Sequence, residues 1–163
     1  MKEIELKSTI LLAQFHELDE HDQELVEQAK EATQRAYAPY SNFHVGAALK
    51  LKNGQIITGN NQENAAYTNG ICAERNAIFT ASNLYPDMPV ISLAVAAFCD
   101  GEFTISPVSP CGACRQVLTE TEARFDQPIR ILLYGKSGIY IIPQGINALM
   151  PLQFNPNALK DFE

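Results

Sequence analysis

Two short cysteine-bearing segments constrain the fold of this chain more than any other feature of its sequence. One is Cys72-Ala73-Glu74-Arg75 and the other is Pro110-Cys111-Gly112-Ala113-Cys114, and each lies where a helix is predicted to begin. A helix amino terminus presents free N–H groups and partial positive charge, which lower thiol pKa values and favour the thiolate. Thiolate is the form that binds zinc. Together the segments therefore predict one zinc site with three cysteine ligands, Cys72, Cys111 and Cys114.

Three protein ligands leave the fourth position of a tetrahedral zinc site open, which distinguishes catalytic sites from structural ones. Water normally fills that position, and Glu74 is close enough in sequence to Cys72 to exchange a proton with it. Arg75 is predicted to donate hydrogen bonds to thiolate sulfur, because three thiolates carry more negative charge than the metal offsets. The alternative for Arg75 is an ordinary surface arginine. We expect a site that activates water, with Glu74 as its catalytic group.

Helical and alternating patterns follow one another along the chain and predict an α/β fold. The predicted helices lie at residues 22–37, 72–84, 115–125 and around 146–150, and the predicted strands at residues 44–51, 55–59, 90–97, 129–134 and 139–142. An alternating stretch at residues 3–10 predicts an additional edge strand, and Asn53-Gly54 predicts a hairpin turn. This order indicates one domain, residues 1–163, in which helices cover a central mixed β-sheet of about five strands.

The charge of the chain bears on its partners. The formal net charge of the 163 residues is −7, and lysine and arginine form no cluster, whereas proteins that track a phosphate backbone usually present a basic face. We therefore predict a small, nearly neutral ligand and no nucleic-acid polymer. The chain has no apolar run of membrane length and no signal-peptide pattern, so we expect no membrane partner and a cytoplasmic location.

Several ordered motifs resemble one known family. They are Tyr40-Ser41-Asn42-Phe43, Val45-Gly46-Ala47-Ala48, Asn61-Gln62-Glu63-Asn64-Ala65, Gly70-Ile71 leading into the first cysteine segment, and Ser109 to Gln116 around the second. In this arrangement, which spans Ala38 to Phe154, the chain resembles the small cytidine deaminases. The resemblance implies a three-layer fold with a family core at residues 19–154 and an amino-terminal extension at residues 1–18. It also implies a homotetramer that hydrolyses cytidine and 2'-deoxycytidine in pyrimidine salvage.

The resemblance also implies a role for individual residues. One zinc ion per subunit is held by the three cysteines, and Glu74 shuttles protons between water, N3 of the pyrimidine and the departing amino group. The residues implied to contact the nucleoside are Asn61 and Glu63 at the ribose hydroxyl, Phe43 on the base, the backbone of Ala73 at the base edge, and Tyr67 and Phe154 from neighbouring subunits. The chain departs from the family pattern at Asn76, where threonine is common, and at Thr68-Asn69.

The residues leave several alternatives open. The Cys111–Cys114 pair alone is also typical of a redox dithiol or of half a structural zinc knuckle. Cys99, if it supplied a fourth sulfur, would close the site and make the chain a non-enzymatic zinc module, although a small buried apolar role is favoured.

Two other enzyme classes would use the same chemistry. A deaminase of a cytosine-bearing antibiotic nucleoside is separated from the favoured interpretation by turnover of cytidine. A polynucleotide deaminase usually has histidine as its first ligand, where this chain has Cys72, and an assay on single-stranded DNA or RNA distinguishes it.

Overall fold

A computed structural model describes residues 1–159 and contains a seven-stranded mixed β-sheet. The strands are β1 (Leu11–Ala13), β2 (Phe43–Leu51), β3 (Ile56–Asn60), β4 (Val90–Cys99), β5 (Glu102–Phe103), β6 (Arg130–Gly135) and β7 (Gly138–Ile142). Their order in the sheet is β1-β7-β6-β4-β2-β3, and β5 pairs with β4 outside that path. The β4–β6 pair is parallel and the other pairs are antiparallel.

Three α-helices cover the two faces of the sheet: α1 (Glu20–Ala32), α2 (Ala73–Leu84) and α3 (Gly112–Phe125). Alternate residues of the central strands β2, β4 and β6 belong to different cores, as the pleat of a strand requires. Leu49 and Val95 pack with α2 and α3, whereas their neighbours Ala48 and Ala94 pack with α1. The described residues also form short 3₁₀ helices at Phe15–Glu17, Thr33–Arg35, Tyr67–Asn69, Gly145–Ala148 and Pro156–Leu159. The three layers of the fold are therefore α1, the sheet, and the pair α2 and α3.

The predicted α/β class and flanked mixed sheet are confirmed, and the strand count is seven rather than about five. The additional strands are β1, with three residues, and β5, with two, and both are too short to show an alternating pattern. The edge strand predicted at residues 3–10 is wrong: these residues are exposed and lie outside the sheet, and the edge is formed by β1 against β7 instead. Alternation alone does not make a strand when the segment has no face to bury.

Two glycines allow the helices to approach the sheet closely. A Cβ atom at Gly46 would lie 2.0 Å from the backbone oxygen of Ala29 in α1, and one at Gly59 would lie 2.5 Å from the backbone nitrogen of Ala77 in α2. Only hydrogen fits in either position. The close contact at Gly59 seats α2 directly on β3, so the amino terminus of α2 lies beside the end of that strand. Within residues 1–159 no helix combines the length and the apolar character needed to cross a membrane.

Candidate metal centre and adjoining cavity

The three predicted thiols meet where α2 and α3 begin. Cys72 is the residue before α2, Cys111 is the residue before α3, and Cys114 lies in the first turn of α3. The Sγ atoms of Cys72 and Cys111 are 3.7 Å apart, and those of Cys111 and Cys114 are 3.5 Å apart. Zinc–sulfur bonds of about 2.3 Å in a tetrahedral site place two sulfur atoms about 3.8 Å apart. The spacing of these donors therefore fits Zn²⁺.

Among residues 1–159, the only group of three or more histidine, cysteine or acidic side chains close enough to share one ion is this trio of cysteines. Cys99, the fourth cysteine, lies at the end of β4 outside the group. The structure therefore does not support the closed four-sulfur site of a structural zinc module. A three-ligand centre with a free coordination position is the arrangement typical of catalytic zinc.

Hydrogen bonds favour a thiolate at this centre. Contacts with Cys114 and then with Arg75 lower the pKa of the Cys72 thiol to about 5, against the opposing effect of burial. Nη2 of Arg75 donates to the Cys72 sulfur at 3.8 Å. Among the described residues no carboxylate forms an ion pair with Arg75. The charge of the guanidinium is therefore available to the sulfur cluster.

Glu74 is the buried acid of the site. Its side chain lies in the first turn of α2 and only 4% of the residue is exposed. Burial is the main cause that raises the pKa of its carboxyl group, and the negative charge of Cys72 adds to the effect. A carboxyl group with a raised pKa binds and releases a proton nearer to neutral pH, which is what a general acid and base requires.

A cavity of about 780 Å³ opens over the thiols and Glu74. The sequence-predicted residues that line it are Phe43, Asn61, Glu63, Tyr67, Cys72, Ala73, Glu74, Arg75 and Cys111. Phe154 does not line the cavity of its own chain; it is 58% exposed, and its carbonyl oxygen accepts a hydrogen bond from Gln116. One cavity thus joins the metal centre to most of the residues implied to contact a nucleoside.

Other lining residues had no predicted role, among them Tyr40, Ser41, Val45, Val95, Val108 and Ser109. Val45 and Val95 are strand residues on the face covered by α2 and α3, and in sequence they are indistinguishable from core valines. Tyr40, Ser41 and Ser109 stand in the motifs quoted above, which mark the segments but assign these side chains no contact.

The side chain of Asn61 continues the pairing of β2 with β3 beyond the last strand residue. Its Oδ1 accepts from the backbone nitrogen of Val45 at 2.7 Å, and its Nδ2 donates to the carbonyl oxygen of Phe43 at 2.9 Å. Both the oxygen and the nitrogen of the Asn61 side-chain amide are therefore hydrogen-bonded to the backbone of β2.

Glu63 holds the turn that precedes β2. Its carboxylate accepts hydrogen bonds from the Ser41 hydroxyl and from the backbone nitrogens of Tyr40 and Ser41. The hydrogen bond from the Ser41 hydroxyl is the largest cause that lowers the pKa of Glu63. Glu63 is therefore an ionised acceptor at neutral pH, held at the cavity wall.

Comparison with known proteins agrees with this geometry. Residues 19–125 match the family model described as the cytidine and deoxycytidylate deaminase zinc-binding region. The chain is 48% identical over 98 residues to the cytidine deaminase of Halalkalibacterium halodurans, an alignment that covers 60% of this chain and 70% of that protein. It is 32% identical over 142 residues to the blasticidin-S deaminase of Bacillus cereus, which covers 86% and 96% of the two chains.

Comparison with solved structures identifies the same family. The crystal structure of cytidine deaminase from Burkholderia pseudomallei superimposes with a TM-score of 0.69 at 36% sequence identity, covering 84% of this chain and all of that one (100%). The matched region begins one residue before α1 and ends with α3, so it contains all three thiols and Glu74. The chain therefore belongs to the cytidine and deoxycytidylate deaminase zinc-binding family.

Proposed function

We propose that this protein hydrolyses cytidine and 2'-deoxycytidine to uridine and 2'-deoxyuridine, consuming one water and releasing ammonia. The observation that carries the proposal is that the buried residue Glu74 lines the same cavity as Cys72 and Cys111. Zinc, when bound by Cys72, Cys111 and Cys114, supplies the Lewis acidity that makes water a nucleophile near neutral pH. A reaction of this class needs both that metal and a proton carrier beside it.

Glu74 carries the proton transfers of the proposed reaction. Its carboxylate takes a proton from the attacking water and delivers it to N3 of the pyrimidine, so that the water oxygen bonds to an electron-poor C4. The carboxylate then takes the second proton, from the new hydroxyl group on C4, and gives it to the amino group. The bond from C4 to nitrogen breaks, ammonia leaves, and C4 becomes the carbonyl carbon of the product. The raised pKa of Glu74 supports this role, because one group must both accept and donate within a catalytic cycle.

The cavity walls support a nucleoside as the substrate. Phe43 and the backbone of Ala73 are proposed to contact the base, and Asn61 and Glu63 to contact the ribose hydroxyl groups. The charged residues that line the cavity are Glu63, Glu74 and Arg75, and the arginine donates to Cys72. Among these lining residues a phosphate group would be repelled by two carboxylates, and the one cationic side chain already donates a hydrogen bond to a thiol. This favours an unphosphorylated substrate over a nucleotide or polymer.

Two exposed aromatic residues support a shared site between subunits. Tyr67, at the cavity mouth, is 79% exposed, and Phe154 is exposed on the same molecule away from the cavity. We propose that a homotetramer brings Phe154 to the site of a neighbouring subunit, whereas Tyr67, which the resemblance also assigned to a neighbouring site, lines the cavity of its own chain. Residues 19–154 are the proposed common core and residues 1–18 an extension. The mass of the native protein in solution tests the assembly. Pyrimidine salvage in the cytoplasm is the proposed setting.

Blasticidin S is the second candidate substrate, because the alignment with the Bacillus cereus blasticidin-S deaminase extends over more of this chain than the alignment with the Halalkalibacterium enzyme. The two candidates are separated by the fall in ultraviolet absorbance of cytidine, 2'-deoxycytidine and blasticidin S with the same zinc-loaded preparation. Faster turnover of the antibiotic than of either nucleoside would reject the favoured substrate.

The decisive test of the mechanism replaces Glu74 with alanine. We expect Glu74→Ala to retain one zinc per chain by elemental analysis and to lose about two to four orders of magnitude in the rate of cytidine deamination. Glu120→Ala, which removes an exposed glutamate from α3, is the matched control and should keep the wild-type rate. Near wild-type activity in Glu74→Ala would reject the proton-carrying role.

A further inference from the structure

Asn76 connects the helix of the metal centre to the strand that leads to the ribose-contacting residues. It lies in α2, two residues after Glu74, and its side chain is half-buried. Its Nδ2 donates to the carbonyl oxygen of Asn60 at 3.0 Å. Asn60 is the last residue of β3 and directly precedes Asn61.

A second connection lies on the other side of Asn61. The backbones of Gln62 and Ile71 exchange two hydrogen bonds of 3.0 Å, and Ile71 directly precedes Cys72. The side chain of Gln62 also donates to Oδ1 of Asn60. The segment Asn60–Glu63 is therefore tied to α2 at both ends: through Ile71 to the first metal ligand, and through Asn76 to the turn that follows Glu74.

Contacts other than the Asn76 hydrogen bond also hold α2 against the sheet. α2 is already seated by the close approach at Gly59 and by the buried residues Ala73 and Ala77. Those contacts fix the helix against the sheet over several residues, whereas Asn76 makes a single hydrogen bond to the one segment that carries Asn61 and Glu63. A change at Asn76 should therefore alter a spacing without unfolding the helix.

We infer that Asn76 is a positioning residue that sets the distance between the ribose-contacting segment, Asn60–Glu63, and the helix that carries Glu74. This inference rests on the proposed nucleoside substrate. The base is planar and is attached to the ribose by one covalent bond, so the distance from the ribose to C4 is nearly fixed. A shift between the two protein segments therefore misplaces C4 relative to the carboxyl group of Glu74. Misplacements of this kind lower the rate of a reaction whose groups must be aligned.

The test is Asn76→Asp, which keeps the size of the side chain but replaces the amide donor with an oxygen facing the carbonyl of Asn60. The rates of cytidine and 2',3'-dideoxycytidine are compared, because the second nucleoside lacks the hydroxyl groups that the segment would hold. We expect kcat/KM to fall about tenfold or more for cytidine and to change less than about threefold for dideoxycytidine, with zinc content and Tm near wild type. Asn83→Asp, the same change at an exposed position of α2, should leave both rates unchanged.

Equal losses on both nucleosides would overturn the inference, because they indicate general damage to the site; unchanged rates on both would overturn it as well. If Asn76→Asp does not fold, Asn76→Ala, which removes the donor without adding charge, gives the same comparison. Wild-type protein that deaminates neither nucleoside would reject the proposed function itself, and with it the role given to Asn76.

Discussion

Glu74 and Glu122 are both buried acidic residues, and they lie in different surroundings. Glu74 faces the thiols and the cavity, whereas Glu122, in α3, is 9% exposed and holds two backbone segments. Its Oε1 accepts from the backbone nitrogens of Ile129 and Ile146, each at 2.9 Å. Burial is the largest cause that raises the pKa of Glu122, and the two hydrogen bonds oppose it. The ionised form of Glu122 is therefore less favourable in the folded protein than in the unfolded chain.

Replacing Glu122 with glutamine should change how stability depends on pH. A carboxyl group with a raised folded-state pKa stabilises the fold fully below its ordinary pKa of about 4.3, and that contribution is lost as pH rises through the folded value. The amide oxygen of the substituted side chain can still accept both backbone hydrogen bonds, and the amide carries no charge. We expect the Tm of Glu122→Gln, minus that of wild type, to increase between about pH 4 and about pH 8.

The measurement is thermal unfolding of both proteins in the same buffers, so that every other titrating group cancels in the difference. A Tm difference that stays constant or decreases across this range would contradict the raised pKa of Glu122.

Sequence patterns predicted one of these two acids and not the other, for a physical reason. Glu74 stands two residues from a cysteine at a helix start, and that local spacing is sufficient to predict its position beside the thiols. Glu122 lies two residues from the exposed Glu120 on the same helix, and its partners are seven and 24 residues further along the chain. The anchoring of Asn61 by β2 is likewise a tertiary contact that no local pattern encodes.

At the scale of elements, the position of α2 depends on a glycine in β3. The absence of a side chain at Gly59 allows Ala73 and Ala77 to lie against the strand, and this contact brings the amino terminus of α2 to the cavity. The positions of Cys72 and Glu74 depend on this contact, because Cys72 directly precedes the helix and Glu74 lies in its first turn.

We expect Gly59→Ala to destabilise the protein by about 2 kcal/mol or more, because the new methyl group meets backbone atoms that cannot rotate away. The zinc content should fall as well, since α2 must move outward with Cys72. Gly112→Ala is the matched control: a Cβ there meets no atom within 4 Å and lies in a helix, so its stability should match or exceed that of wild type. Chemical denaturation with zinc analysis of both variants tests this. An unchanged midpoint for Gly59→Ala would show that α2 is not held by this contact.

Elements with a long pattern were predicted well, and short or unsupported ones were not. The apolar run from Val90 was predicted as a strand, and β4 is paired with β2 and β6 and covered by helices on both sides. The Asn53-Gly54 turn joins β2 and β3 as predicted. The alternation at residues 3–10 failed because period alone says nothing about which surface a segment will cover.

For the whole molecule, the metal centre is a junction between two helices from different parts of the chain. α2 follows β3 and α3 lies between the parallel strands β4 and β6, yet both helices begin at the same three sulfur atoms. An ion bound there stabilises the folded chain, because the unfolded chain does not hold the ligands together.

Removal of zinc with a chelator should therefore lower Tm by about 10 °C, and addition of Zn²⁺ should restore it. Cys111→Ala, which lacks one ligand, is the control whose Tm should not respond to the chelator. Equal Tm values for zinc-loaded and chelated wild-type protein would contradict the proposed junction.

The separation of the ligands along the chain also sets when the ion can be captured during synthesis. Cys111 follows Cys72 by 39 residues. A nascent chain that has emerged only as far as β4 offers a single thiol of this trio, which cannot retain zinc. The ion can be held only after α3 has left the ribosome and docked beside α2, so metal acquisition follows the emergence of α3. Ribosome-stalled chains ending before residue 111 should carry no zinc.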